Sequence, residues 1–239
     1  MKKPVLIIGN KNYSSWSLRA WLLLKAFDVD FEEQFIDLLD PLAASVLQAN
    51  SPTSKVPVLL QDNGDSDTIK VWDSLAIAIY TNDYLTKTDI WSGHNSFETD
   101  NETDNETKQP YPNLKTDRAY CQSIVAEMHS GFMGIRSDMP MNVIEKLCIE
   151  PTAACLNDIA RIECIFAECL ANRPVDSYLF GGFTVADAFF APIVLRLQTY
   201  AQASEIELKL ITKQYCQTML RNPHIQAWQE AARQEHPKN

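Results

Sequence analysis

No cysteine occurs before Cys121 in this chain. The six it carries (Cys121, Cys148, Cys155, Cys164, Cys169 and Cys216) lie in the second half, and none pairs in a CxxC or other compact metal-ligand spacing. The four histidines, His94, His129, His224 and His236, are scattered, so a His-based site would need a coincidence of folding. Buried, reduced thiols and no metal are expected. Positive charge is short as well: 21 Lys and Arg against 31 Asp and Glu leave a formal charge of -10. Phosphate contacts need a basic face, so nucleic acid is disfavoured as a partner. Long apolar runs are missing, with nothing near the roughly 18 uninterrupted residues of a membrane span. The apolar stretch after Met1-Lys2-Lys3-Pro4 is too short for a signal peptide. These absences lead to the expectation of a cytoplasmic protein that does not engage a membrane.

At 239 residues and 46% apolar content, the chain has room for two domains with real cores. Residues 4–9 read as a short strand ending in Gly9, and 16–27 as a helix apolar on most sides, hence buried between layers. A second strand is expected at 31–36, a short helix at 41–49, a hairpin from 58–60 and 69–72, and a helix from 73 to about 85. Residues 98–107 repeat Glu-Thr-Asp-Asn, an acidic tract unable to bury apolar surface. From 114 on, helical spacing dominates. Cys121, Ile124, Val125, Met128 and Phe132 form one stripe, and Ile159, Ile162, Phe166, Cys169 and Leu170 another. Thr184 with Asp187 makes a capping-box start for a helix over 185–200, and Ser204 with Glu207 repeats the device. The expected division is 1–86, a link at 87–113, and an all-helical unit at 114–239.

Two short blocks carry the chemistry. In Lys55-Val56-Pro57-Val58-Leu59, Pro57 cannot donate to a sheet ladder, which leaves Val56 with free backbone groups. If the Val56-Pro57 bond is cis, that amide and carbonyl face an extended ligand as a neighbouring strand would. Asp73-Ser74 opens an apolar run, which puts Ser74 at a helix start where unpaired amides attract a carboxylate, while Asp73 suits an ammonium group. A ligand with backbone-like edges, a carboxylate and an amine at one end describes glutathione. Each block alone is an ordinary turn or cap; their order gives them weight.

With Asn12-Tyr13-Ser14-Ser15-Trp16-Ser17-Leu18-Arg19, Val71-Trp72-Asp73-Ser74 and Phe183-Thr184-Val185-Ala186-Asp187 added, the chain resembles the soluble, bacterial-type glutathione transferases of the serine type. The resemblance implies an α/β plus all-α architecture: a thioredoxin-like N-terminal domain and a C-terminal helical bundle. It also implies glutathione as co-substrate, a small electrophile as partner, and a homodimer. Lys55, Val56, Pro57, Asp73 and Ser74 then hold the tripeptide. A thiol of pKa about 8.5 is only a few per cent thiolate at neutral pH, and each unit of depression is worth about 1.4 kcal/mol. Ser14 and Ser15, at the start of the first helix, supply a hydroxyl and the positive end of a dipole. Ser14, five residues before Arg19, fits the serine-type pattern better, and Tyr13 is a third donor. Plain helix capping is the bland reading of both serines. Thr184 and Asp187 take a structural role, Arg19 that of a buried ion-pair partner, and Arg136 that of a contact for an anionic substrate. Conjugation for detoxification is the leading activity. The alternatives are a maleylacetoacetate isomerase-like reaction, peroxide or disulfide reduction by glutathione, and a non-catalytic binding module. Reduction through a protein thiol is disfavoured because no Cys lies near the first helix.

Overall fold

A computed structural model describes residues 2–64, 67–86, 88–91, 94–95 and 114–235. The acidic repeat at 98–107, most of the expected link, the hairpin-tip residues Asp65 and Ser66, and His236 lie outside the described residues.

Four strands form one mixed sheet in the order β2-β1-β3-β4. β1 (Val5–Ile8) runs parallel to β2 (Glu32–Phe35) and antiparallel to β3 (Val58–Asp62), which pairs antiparallel with β4 (Thr68–Trp72). Leu6, Ile7 and Ile8 are buried, as an apolar run in a strand covered on both faces should be. β2, at the sheet edge, exposes all four residues of Glu-Glu-Gln-Phe, and its charges discourage further strand addition.

α1 (Ser15–Ala26) packs against β1 and α3 on one side and against the helical region on the other. This two-sided burial explains why it lacks a polar face from Ser15 to Leu24, apart from the buried Arg19 and small hydroxyls. α2 (Ala43–Asn50) covers the other face of the sheet through Ala43 and Leu47, which cluster with Ile7, Ile36 and Val58. α3 (Ser74–Tyr80) is shorter than expected. Its α-helical pattern stops at Tyr80 and the chain continues as a π-helical turn, Thr81–Leu85, closed by Thr86 N donating to Thr81 O at 3.1 Å.

The second region is helical: α4 (Leu114–Ser130), α5 (Met133–Asp138), α6 (Ala153–Leu170), α7 (Val185–Tyr200), α8 (Leu210–Leu220) and α9 (Pro223–Glu235). The chain thus joins a thioredoxin-like sheet-and-helix domain to a C-terminal helical region. Both apolar stripes read from the sequence are buried. Phe132, at φ +59°, breaks the chain between α4 and α5. Gly134 lets α5 meet α6 backbone to backbone, since a Cβ there would stand 2.5 Å from the Ala154 carbonyl carbon.

α7 is the hub. Asp187, fully buried, accepts from Thr184 N (2.9 Å), Thr184 Oγ1 (3.0 Å), Leu179 N (3.0 Å) and Tyr215 Oη (2.9 Å). Burial pushes its carboxyl up to about 6 against these four donors, which pull it down. Thr184 and Asp187 are therefore structural, as expected. The second capping box does not form: Ser204 Oγ instead accepts from Ile149 N at 3.0 Å, and α8 begins only at Leu210. The hydroxyl serves a long-range contact that sequence spacing cannot reveal.

Candidate functional site

The loop from β1 to α1 is tied down on every side. Asn10 Oδ1 accepts from Leu38 N at 2.8 Å, and Asn12 Oδ1 accepts from Val143 N (2.7 Å) and Ile144 N (3.1 Å). Lys11 N donates to Glu235 Oε2 at 2.7 Å, and its carbonyl accepts from Trp228 Nε1 at 2.9 Å. A loop held by both regions presents the start of α1 rigidly, as a reactive site requires.

Ser14 and Ser15 are both buried at that start, but their hydrogen bonds differ. Ser14 caps α1: its Oγ accepts from Ser17 N at 3.4 Å and donates to Ser17 Oγ at 2.7 Å, which also accepts from Gly9 N at 3.1 Å. Ser15 Oγ accepts from Arg196 Nη2 at 3.4 Å, and no described residue takes its proton.

Across from this loop, the Val56-Pro57 peptide bond is cis. Lys55 N donates to Ser51 Oγ at 3.2 Å, and neither backbone group of Val56 pairs with another described residue. Asp73 has φ +77° and ψ 136°, a conformation L residues rarely adopt and one typical of ligand clamps. Its Oδ1 caps α3 through Leu75 N at 2.7 Å, and its Oδ2 faces His129 Nε2 at 3.4 Å. Ser74 is 1% exposed, and its buried Oγ has no hydrogen-bond partner among the described residues.

These parts line a cleft of ≈ 350 Å³ bounded by Trp16, Thr53, Lys55, Val56, Pro57, Trp72, Asp73 and Ser74. All five residues expected to hold glutathione come together there. Ser14 and Ser15 are not among its walls; their neighbour Trp16 is. Lys55 is exposed at the rim. The cleft combines a strand-like edge, an unsatisfied hydroxyl, a carboxylate and an ammonium, which suits a short extended zwitterion.

Behind Trp16 lies a feature the sequence hid. Arg19 is fully buried, with its Cζ 4.5 Å from the Trp16 ring and 5.0 Å from that of Phe189. Arg136 covers Trp16 at 5.0 Å, and His129 meets the same ring edge-on at 5.2 Å. Arg19 was expected to be an ion-pair partner, but among the described residues it makes no ion pair. It stacks on aromatics instead. Burial first, then the charges of Arg136 and Arg196, lower its pKa well below the ordinary value, and only Asp73 opposes them. Burial, followed by Arg136, pushes Arg196 down to about 10. Burial also lowers His129, against Asp73. Met128 and Phe132 are core side chains, as their apolar stripe implies, while the Met128 carbonyl accepts from both Arg19 and Arg136. Arg196 and His129 escaped the sequence reading. The signal for Arg196 was its place as the one cation in the apolar helix over 185–200.

Against the expectation of buried thiols, Cys148 and Cys164 are exposed and Cys216 is half-buried; Cys121, Cys155 and Cys169 are buried. Burial pushes Cys155 up to about 11, Cys169 and Cys216 to about 12, and Cys121 higher still. Among the described residues no group of three or more His, Cys, Asp or Glu could hold a metal ion, and no helix is long and apolar enough to cross a membrane.

Residues 13–83 match the family model of the glutathione S-transferase N-terminal domain. A glutathione transferase homolog from Burkholderia gl BGR1, solved with bound glutathione, superposes with a TM-score of 0.62 at 20% identity, over 98% of this chain and 99% of that one. Glutathione transferase Omega 2S from Trametes versicolor, in complex with 2,4-dihydroxybenzophenone, gives 0.62 at 15% identity, covering 98% and 96%. Glutathione S-transferase unclassified 2 from Bombyx mori gives 0.64 at 17%, covering 98% and 95%. No curated protein matches the chain closely enough to count as a relative. The first domain is thus of glutathione S-transferase type, and the whole chain has the fold of those enzymes.

Proposed function

We propose that the chain is a glutathione transferase that conjugates glutathione to small electrophiles by stabilising the thiolate. The observation that carries this reading is the convergence, in one cleft, of the unpaired Val56 backbone, the Asp73 carboxylate and the partnerless, buried Ser74 hydroxyl. The cysteinyl backbone of glutathione pairs with Val56 as an added strand. The γ-glutamyl carboxylate meets Ser74 and the start of α3, its ammonium meets Asp73, and the glycine carboxylate meets Lys55.

The thiolate belongs at the start of α1. Of the two serines there, Ser15 is the better donor, because the Ser14 proton is spent on Ser17 while Arg196 donates to Ser15 and leaves its proton free. Ser14 then acts as a positioning residue that caps the helix. The thiolate attacks the electrophile, a carbon–sulfur bond forms, and the leaving group departs with its electron pair. Glutathione is a co-substrate in this scheme and no metal takes part. Residues 1–86 form the glutathione-binding unit and 114–239 the helical unit, with 87–113 between them. A cytoplasmic location, a homodimer and a role in detoxification complete the proposal and come from the resemblance to glutathione transferases alone.

Calorimetric titration with glutathione, followed by turnover of 1-chloro-2,4-dinitrobenzene, tests the proposal. Binding that weakens in Ser74→Ala together with turnover supports it. Absence of binding refutes it, and binding without turnover favours the non-catalytic module. The solution mass decides the oligomeric state.

A further inference from the structure

Three guanidinium groups from three helices meet behind Trp16, and among the described residues none of them forms an ion pair, although Asp73 acts on Arg19 and Asp158 on Arg136 from a distance. Arg19 on α1 and Arg136 on α5 both donate from Nη2 to the Met128 carbonyl, which brings the two cations side by side. Arg196 on α7 reaches the same corner through Met139 O and Ser15 Oγ. Their charges act on one another: Arg136 depresses both Arg19 and Arg196. The nearest acids are engaged elsewhere. Asp73 caps α3 and faces His129, and Asp158 accepts from Ile135 N at 3.0 Å.

Several donors in this corner are buried and empty-handed. Among the described residues, Arg19 Nε and Nη1 and Arg196 Nη1 have no partner. Arg19 and Arg196 are 0% and 4% exposed. Buried cations without counter-ions are costly, and buried donors without acceptors add to that cost, unless an anion completes the site. The cluster stands out further in a chain of charge -10. Arg136 is the approachable member, half-buried against Trp16, which lines the cleft, while Arg19 and Arg196 are buried and supply fixed charge.

We infer that this corner is the recognition site for a carboxylate on the electrophile, so that the preferred substrates are small anionic molecules held by Arg136. The inference rests on the transferase reading for its reaction, but the anion site can be tested without it. In the reaction the thiolate displaces chloride from the activated ring carbon; a carbon–sulfur bond replaces the carbon–chlorine bond and the chloride keeps the electron pair.

The test compares 4-chloro-3,5-dinitrobenzoate with the neutral 4-chloro-3,5-dinitrobenzamide, each rate divided by its uncatalysed reaction with glutathione. Charge-assisted hydrogen bonds predict a preference for the benzoate of roughly tenfold or more in kcat/KM. Arg136→Gln should abolish it through the KM for the benzoate, and Arg136→Lys should retain part of it. Equal efficiency with the two substrates, or a preference that survives Arg136→Gln, overturns the inference. Calorimetry with unreactive 3,5-dinitrobenzoate, against 3,5-dinitrobenzamide, separates the two readings. If the chain binds no glutathione but binds the benzoate more tightly than the amide, the anion site stands and the transferase reading falls. If it binds glutathione and shows no benzoate preference, the anion site alone falls. The wild-type comparison needs no variant to fold.

Discussion

Replacing Ser15 with Ala should raise the pKa of the thiol of bound glutathione, whereas replacing Ser14 should chiefly cost stability. The two hydroxyls sit on neighbouring residues, but the Ser14 proton is committed to Ser17 Oγ at 2.7 Å and the Ser15 oxygen receives Arg196 Nη2 at 3.4 Å. A hydrogen bond to a charged group contributes about 1.5–3 kcal/mol, which corresponds to roughly one to two pKa units. Ser15→Ala should therefore move the thiol upward by about that amount and slow conjugation at neutral pH by roughly 10- to 100-fold. Ser14→Ala removes a helix cap and should cost about 1 kcal/mol of stability. Its thiol shift should be smaller than that of Ser15→Ala. The assay is a pH titration of thiolate absorbance near 240 nm at saturating glutathione (roughly the thiolate band), with urea unfolding of the same variants. A larger thiol shift in Ser14→Ala than in Ser15→Ala refutes the assignment.

Asp187 gives a pH signature. Its carboxyl stands at about 6 in the fold against an ordinary value of 3.8, so the folded state holds its proton more tightly than the unfolded state does. The stability this contributes is fully present below about pH 4 and is lost as pH rises through about 6, by up to ~3 kcal/mol. Urea unfolding of wild type and Asp187→Asn at pH 4 to 7.5 should show the difference between them shifting toward wild type at the acid end; a flat difference contradicts this. Lys55→Gln removes an exposed cation at the cleft rim and should raise the KM for glutathione by only about two- to fivefold, since exposed ion pairs are worth ~1 kcal/mol or less. An unchanged KM would take Lys55 out of the site. Gly134→Ala forces a Cβ to 2.5 Å from the Ala154 carbonyl carbon, so α5 and α6 must part, at a cost of about 1–3 kcal/mol in unfolding free energy. A variant as stable as wild type would mean that α5 shifts freely.

Much of the architecture was legible because local pattern and tertiary environment agree. The run Val5 to Ile8 is apolar without alternation and becomes a strand buried on both faces, and the stripe from Cys121 to Phe132 repeats at helical spacing and is buried. Thr184 and Asp187 meet as their spacing predicts. Where a side chain serves a distant partner, the local reading failed. Ser204 resembles a helix cap but binds Ile149 N, 55 residues away in sequence. α3 gives way to a π-helical turn at Thr81, which no local propensity marks.

Composition and order alone marked two short blocks, a free backbone at Val56 and a helix start at Asp73-Ser74, because Pro57 must interrupt a ladder and Asp73-Ser74 must precede the apolar run they cap. The cis bond before Pro57 belongs to the tertiary structure. Only the tertiary structure decided which serine keeps a free proton, since that depends on Ser17 one turn ahead and on Arg196 from α7. The same holds for the cationic corner. Arg19, Arg136 and Arg196 are far apart along the chain, and only the packing of α1 against α7 with the bend between α4 and α5 brings their charges together. Electrostatics depends on distance through space, and a sequence records distance only along the chain.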